Sequence, residues 1–97
     1  MNDQIEYIEI DLNAIKNISD LHKLLKEKLG FPNFYGMNWD AFWDSIIGLV
    51  EMPRTLKLIG WKSLLNTLPS DSLIMKECLE KFNEQYLNWS CKVEYLD

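Results

Sequence analysis

Asn33-Phe34-Tyr35-Gly36-Met37-Asn38-Trp39-Asp40-Ala41-Phe42-Trp43-Asp44-Ser45-Ile46-Ile47-Gly48-Leu49-Val50-Glu51 reads as a loop running into a helix. Gly36 permits backbone angles that other residues avoid, and Asn38 is a good N-cap. At about 100° per residue, Asp40 and Asp44 share one face with Ile47 and Gly48. Phe42, Ile46, Leu49 and Val50 take the opposite face, the natural core face, and Trp43 sits at the border. The stretch contains no Lys or Arg; the nearest bases are Lys28 and Arg54. It holds two of the chain's four tryptophans.

For a helix that serves only as scaffold, this pattern is unfavourable. Asp40 and Asp44 are like charges at i, i+4, which mildly destabilises a helix. The helix N-terminus softens that cost for Asp40 more than for Asp44. The same face is expected to show Ile47 and Trp43 to water. Acidic and apolar groups side by side suit a docking surface for a basic partner; the plainer reading is a solvated acidic face beside one half-buried tryptophan.

Outward from this stretch, strand and helix signals alternate. Ile5 to Ile10 is β-prone. Ser19 can cap a helix with the stripe Leu21, Leu24, Leu25 and Leu29, stopped by Gly30 and Pro32. The acidic helix is expected to end near Glu51, before Pro53. Thr55 to Ile59 predicts a second strand closed by Gly60, and Trp61 to Asn66 a short helix. Pro69-Ser70-Asp71-Ser72 opens the longest helix, with Met75, Cys78, Leu79, Phe82 and Tyr86 inward. Cys91 to Leu96 predicts the last strand. Strands separated by helices imply crossover connections. The expected fold is therefore α/β: a small three-stranded, mostly parallel sheet with three to four helices packed on it, as one domain over residues 1–97.

The net charge of −5 and the pI near 4.8 disfavour nucleic acid and anionic membranes as partners, since both would repel the chain. A basic protein would be attracted. No basic region followed by an apolar run marks a secretion signal, and no apolar stretch approaches the roughly 20 residues that span a bilayer. Cys78 and Cys91 suggest neither a disulfide framework nor a zinc site and read as reduced thiols of a cytoplasmic protein.

Catalytic signals are weak. His22, the single histidine, reads as a solvated helix residue beside Lys23 and Lys26, with no serine or cysteine tied to it by a catalytic motif. Cys78 falls on a buried stripe and Cys91 begins a strand, poor places for a nucleophile. Asp40, Asp44 and Glu84 could in principle chelate a metal or form an acid–base pair, but no calcium-loop, zinc or phosphate-loop spacing accompanies them. Neither an enzyme nor a cofactor is expected.

Phe34-Tyr35-Gly36-x-Asn38-x-Asp40-Ala41-x-Trp43-Asp44, followed by Gly48 and Glu51-x-Pro53, closely resembles the barstar family of intracellular ribonuclease inhibitors. Ile18-Ser19-Asp20-Leu21-His22 and Leu29-x-x-Pro32 extend the resemblance upstream; Phe82, Glu84 and Cys91 extend it more loosely downstream. The resemblance implies a small α/β inhibitor, monomeric when free, that fills a cationic nuclease cleft. Asp44 would enter the phosphate site and Asp40 would add a second acidic contact. Asn38, Trp43 and Gly48 match further interface positions, and Glu84 matches an acidic contact on the last helix, with one extra residue before Cys91. Phe34 stands for a tyrosine, Trp39 for a leucine, Ile47 for a threonine and Leu49 for a tryptophan. The acidic centre is thus kept while the apolar rim differs. That pattern implies a basic, barnase-like ribonuclease or nuclease toxin, the cell's own or a competitor's. An interaction module of the same fold without a nuclease target is the alternative.

Overall fold

The computed structural model describes residues 4–97. Three strands, β1 (Tyr7–Asp11), β2 (Thr55–Ile59) and β3 (Lys92–Leu96), form one sheet in the order β1-β2-β3, with both pairings parallel. Four helices connect them: α1 (Ile18–Leu29) and α2 (Trp39–Gly48) between β1 and β2, then α3 (Trp61–Thr67) and α4 (Pro69–Gln85) between β2 and β3. A 3₁₀ turn at Leu87–Trp89, unforeseen in the sequence, leads into β3. The expected α/β architecture is present, and its sheet is parallel throughout.

Period-two alternation gives the sheet one apolar and one wet face. The register aligns Ile8, Leu56 and Val93 in one row and Ile10, Leu58 and Tyr95 in another. Ile10, Leu56 and Leu58 are fully buried on that face, with Leu21, Leu25, Phe42, Leu64, Met75 and Leu79 from the helices. On the other face Glu9, Lys57 and Glu94 lie side by side, an alternation of charge across neighbouring strands that favours this register. The parallel sheet therefore carries its helices on the apolar face.

The local signals acted mostly where expected, with several corrections. Asn17, not Ser19, caps α1: its side chain accepts from the Asp20 N–H. Gly30 ends α1 in the left-handed conformation at φ 72°. Gly36 has no positive φ; that angle falls on Met37, at φ 58°. Space is tight there instead: a Cβ would lie 3.2 Å from the Ala41 Cβ and 3.3 Å from the Asn38 amide nitrogen, so its neighbours would have to give by a few tenths of an ångström. The acidic helix stops at Gly48 rather than near Glu51, where the Ser45 carbonyl accepts from both Leu49 and Val50. Past that point a helical wheel no longer applies, and Leu49, expected in the core, is half exposed.

A further correction concerns His22, which is 1 % exposed rather than solvated. On the wheel it lies only about 20° from Leu29, at the edge of the stripe formed with Leu21 and Leu25. Leu24, assigned to that stripe, is only half-buried. Cys78 is likewise half-buried, and Cys91 precedes β3 and is buried.

Gly60 takes φ 81° between β2 and α3, and a Cβ there would meet the Asn13 side chain at 2.7 Å. Gly60→Ala should lower folding stability by about 1–2 kcal/mol, the cost of a left-handed non-glycine residue. Urea unfolding midpoints measure this; an unchanged midpoint would mean the β2–α3 turn relaxes freely.

Candidate partner-binding site

The acidic helix rests on a bed of rings. Phe31 and Tyr35 are buried in the loop before α2, and the Tyr35 N–H donates to the Pro32 carbonyl at 3.0 Å, closing a tight turn. That turn leaves Phe34 outside, 76 % exposed. Asn38 uses its whole side-chain amide locally. Its oxygen accepts from the Ala41 N–H at 2.7 Å, and its nitrogen donates to the Gly36 carbonyl at 3.2 Å. One residue therefore caps α2 and braces the loop that precedes it.

Trp39 pins the first turn from below. Its indole N–H donates to the Asp71 carboxylate at 2.9 Å, joining α2 to the start of α4. Its ring lies 4.5 Å from that of His22 and 5.2 Å from that of Phe42. His22 in turn shares a 2.7 Å hydrogen bond between its Nδ1 and the Tyr35 hydroxyl. Burial holds the His22 pKa below its ordinary value, against the opposing pull of Asp71, so the ring is neutral at pH 7. Burial also raises the Tyr35 hydroxyl's pKa. None of these groups is free for proton transfer to a substrate.

Asp40 and Asp44 stand exposed on the outer side of this support. Ion pairs among the described residues join Glu6 to Arg54, Lys62 to Asp97 and Lys92 to Glu94; none touches α2. Trp43 and Ile47 are half-buried rather than open, and Gly48 is exposed. Glu84 is exposed near the end of α4, the helix against which α2 packs. Two grooves flank α2. One, of about 220 Å³, runs beside Trp39, Asp40 and Trp43 along α4. The other, of about 400 Å³, lies beyond Ile47, Gly48 and Leu49 and reaches Tyr86 and Trp89.

The profile of the family described as "Barstar (barnase inhibitor)" matches residues 5–95. The chain belongs to the barstar family. It is also 37% identical over 83 residues to the protein named "Putative ribonuclease inhibitor YrdF" of Bacillus subtilis (strain 168), an alignment covering 81% of this chain and 91% of that protein. Barstar-family proteins are inhibitors, not enzymes. Among the described residues no group of three or more His, Cys, Asp or Glu is placed to hold a metal ion. Burial pushes the Cys91 thiol up to about 12 and also raises Cys78, leaving both as weak nucleophiles at neutral pH. Among the described residues no helix is long and apolar enough to cross a membrane.

Within this barstar-family chain, the loop–helix residues Phe34, Asn38, Trp39, Asp40, Trp43, Asp44, Ile47, Gly48 and Leu49 form one contiguous segment, with Glu84 on the helix packed beside it. Sequence reasoning missed what lies beneath. His22 was recoverable from its wheel angle, whereas nothing local to Asp71 announces that it receives the Trp39 indole 32 positions away.

The buried histidine sets a pH dependence. In the unfolded chain it takes up a proton near its ordinary value of 6.5, but in the folded chain only at lower pH. Its contribution is therefore fully present above about pH 6.5 and is lost as the pH falls below that value. His22→Gln should flatten the fall in urea midpoint between about pH 7 and pH 5. Parallel slopes for the two proteins would show that His22 is not the group responsible.

Proposed function

We propose that this chain inhibits a basic ribonuclease by seating Asp40 and Asp44 of the segment 33–51 in the enzyme's phosphate-binding cleft. The observation that carries the reading is a pair of exposed carboxylates one helical turn apart, in none of the ion pairs among the described residues, on a helix braced from below. A ribonuclease cleft is cationic because it holds a phosphodiester and stabilises the charge that builds during cleavage. Carboxylates can occupy that cleft while offering no bond to cleave. Opposite net charges speed the encounter, and charge-assisted hydrogen bonds from arginine slow release. The rigid support matters because groups held in place before docking lose little further entropy.

The family match and the relative's name support a ribonuclease as the partner. In this reading Asp44 is the central contact, with Asp40 beside it. Phe34, Asn38, Trp39, Trp43, Ile47, Gly48 and Leu49 form the surround, and Glu84 adds a further charge from α4. The inhibitor would work in the cytoplasm as an antitoxin or immunity protein, monomeric until it meets a barnase-like ribonuclease or a nuclease toxin.

A panel of purified basic ribonucleases, barnase among them, tests this. At least one should form a one-to-one complex with the chain and lose its RNA cleavage. Asp44→Ala should then weaken binding by about 2–5 kcal/mol in titration calorimetry, a range for truncating a buried charge pair that barstar–barnase itself helped to set. Unchanged affinity would remove Asp44 from the interface. Folding stability should stay equal or rise slightly, because repulsion from Asp40 is relieved.

Gly48 separates binding from folding. It has no positive φ, and a Cβ there would meet nothing within 4 Å, so the fold does not demand glycine. Gly48→Ala should leave stability unchanged or raise it by up to about 1 kcal/mol. In the proposed interface the same methyl group should weaken ribonuclease binding; equal affinity would place Gly48 outside the contact.

A further inference from the structure

The groove between α2 and α4 contains one base. Trp39, Asp40 and Trp43 line it from α2, Glu77 and Lys81 from α4, and the Lys81 ammonium lies over the Trp43 ring at 5.8 Å from its centroid. Lys81 belongs to none of the ion pairs among the described residues, although Glu77, Glu80 and Glu84 surround it in sequence. Two other lysines sit over rings: Lys57 over Tyr7 at 4.8 Å and Lys76 over Tyr95 at 5.2 Å. Both of those are half-buried and closer, whereas Lys81 is exposed and its contact is the longest of the three. It is therefore the most loosely held.

We propose that Lys81 is a displaceable occupant of the Trp43 face and determines which basic partners can use it. In the free chain the ammonium covers the indole beside Asp40 and Glu77. On docking it yields to a guanidinium of the partner, which is planar, less strongly hydrated than an ammonium and better suited to stack on the ring. A partner that offers only lysine there exchanges like for like and gains little. Lys81 thus sets a threshold that favours arginine, in a groove whose other charged groups, Asp40 and Glu77, attract any cation equally. This inference rests on the reading of the acidic face as a docking surface for a basic protein, but its test needs no ribonuclease.

Isotope-labelled protein is titrated with acetylated tetra-arginine amide and, separately, tetra-lysine amide at constant ionic strength, following the Trp43 indole N–H by NMR. The arginine peptide should produce a saturable shift larger than the lysine peptide does. Lys81→Met should tighten arginine-peptide binding about two- to fivefold, the scale of an exposed cation–ring contact. Lys76→Met removes an equal charge from the same helix but uncovers Tyr95 instead, and should not reproduce this gain at Trp43. The proposal is overturned if Lys81→Met binds no tighter than Lys76→Met, if Trp43 does not respond in any variant, or if both peptides shift it alike. Those results would leave the ribonuclease reading to stand or fall on Asp44→Ala.

Discussion

A like-charge pair facing outward on a ten-residue helix needs something else to hold that helix in position. Here that restraint is the Trp39 indole, fastened to Asp71 and laid against His22, while the Asn38 amide closes the first turn from above. The Trp39 contacts use the inner side of the segment, so Asp40 and Asp44 on the outer side take no part in them and can carry charge. If Trp39 were loose, Asp40 and Asp44 could relax apart, and any partner would have to order them again on binding. Fixed from beneath, they present one arrangement.

The same division runs through the polar groups of the interior. His22, Ser45 and Ser72 are the buried polar side chains, and among the described residues no buried side-chain nitrogen or oxygen lacks a hydrogen-bond partner. His22 is kept neutral by burial and tied to Tyr35, and the Ser72 hydroxyl donates to the Leu68 carbonyl at 2.6 Å. Polar groups are satisfied inside, while the α2 carboxylates outside take part in none of the ion pairs among the described residues. For that reason charge can be altered on the surface with little effect on the core.

The strand and helix order was legible because it depends on short-range signals: alternation in Thr55–Ile59, the left-handed stop at Gly30, the cap at Asn38. The acidic face was legible for the same reason, since Asp40 and Asp44 share a face by spacing alone. The reading of Leu49 failed because a wheel assumes the helix continues, whereas the Ser45 carbonyl ends it one residue earlier. Gly36 was noticed for the wrong property: Ala41 would crowd a side chain there, and a crowding atom is visible only once the chain is folded. His22 was misjudged from its lysine neighbours, although its angle to Leu29 already placed it inside. The Trp39–Asp71 link joins residues far apart in sequence, and no local pattern encodes it.

Specificity in such a chain is then decided at the edges of the acidic pair. Carboxylates attract every cationic cleft, so in the proposed complex Asp40 and Asp44 would supply speed and strength but little choice. Choice must come from groups whose fit varies with the partner: the exposed Phe34 ring, the open helix end at Gly48 and Leu49, and the Trp43 face that Lys81 covers. Of these, Phe34 and Leu49 differ from the barstar pattern and Lys81 lies outside its matching motifs, whereas Gly48 and Trp43 match it. Retained acid with an altered rim is what selection for a different basic nuclease would leave behind, because changing the rim re-targets the surface without disturbing the ring-packed support below.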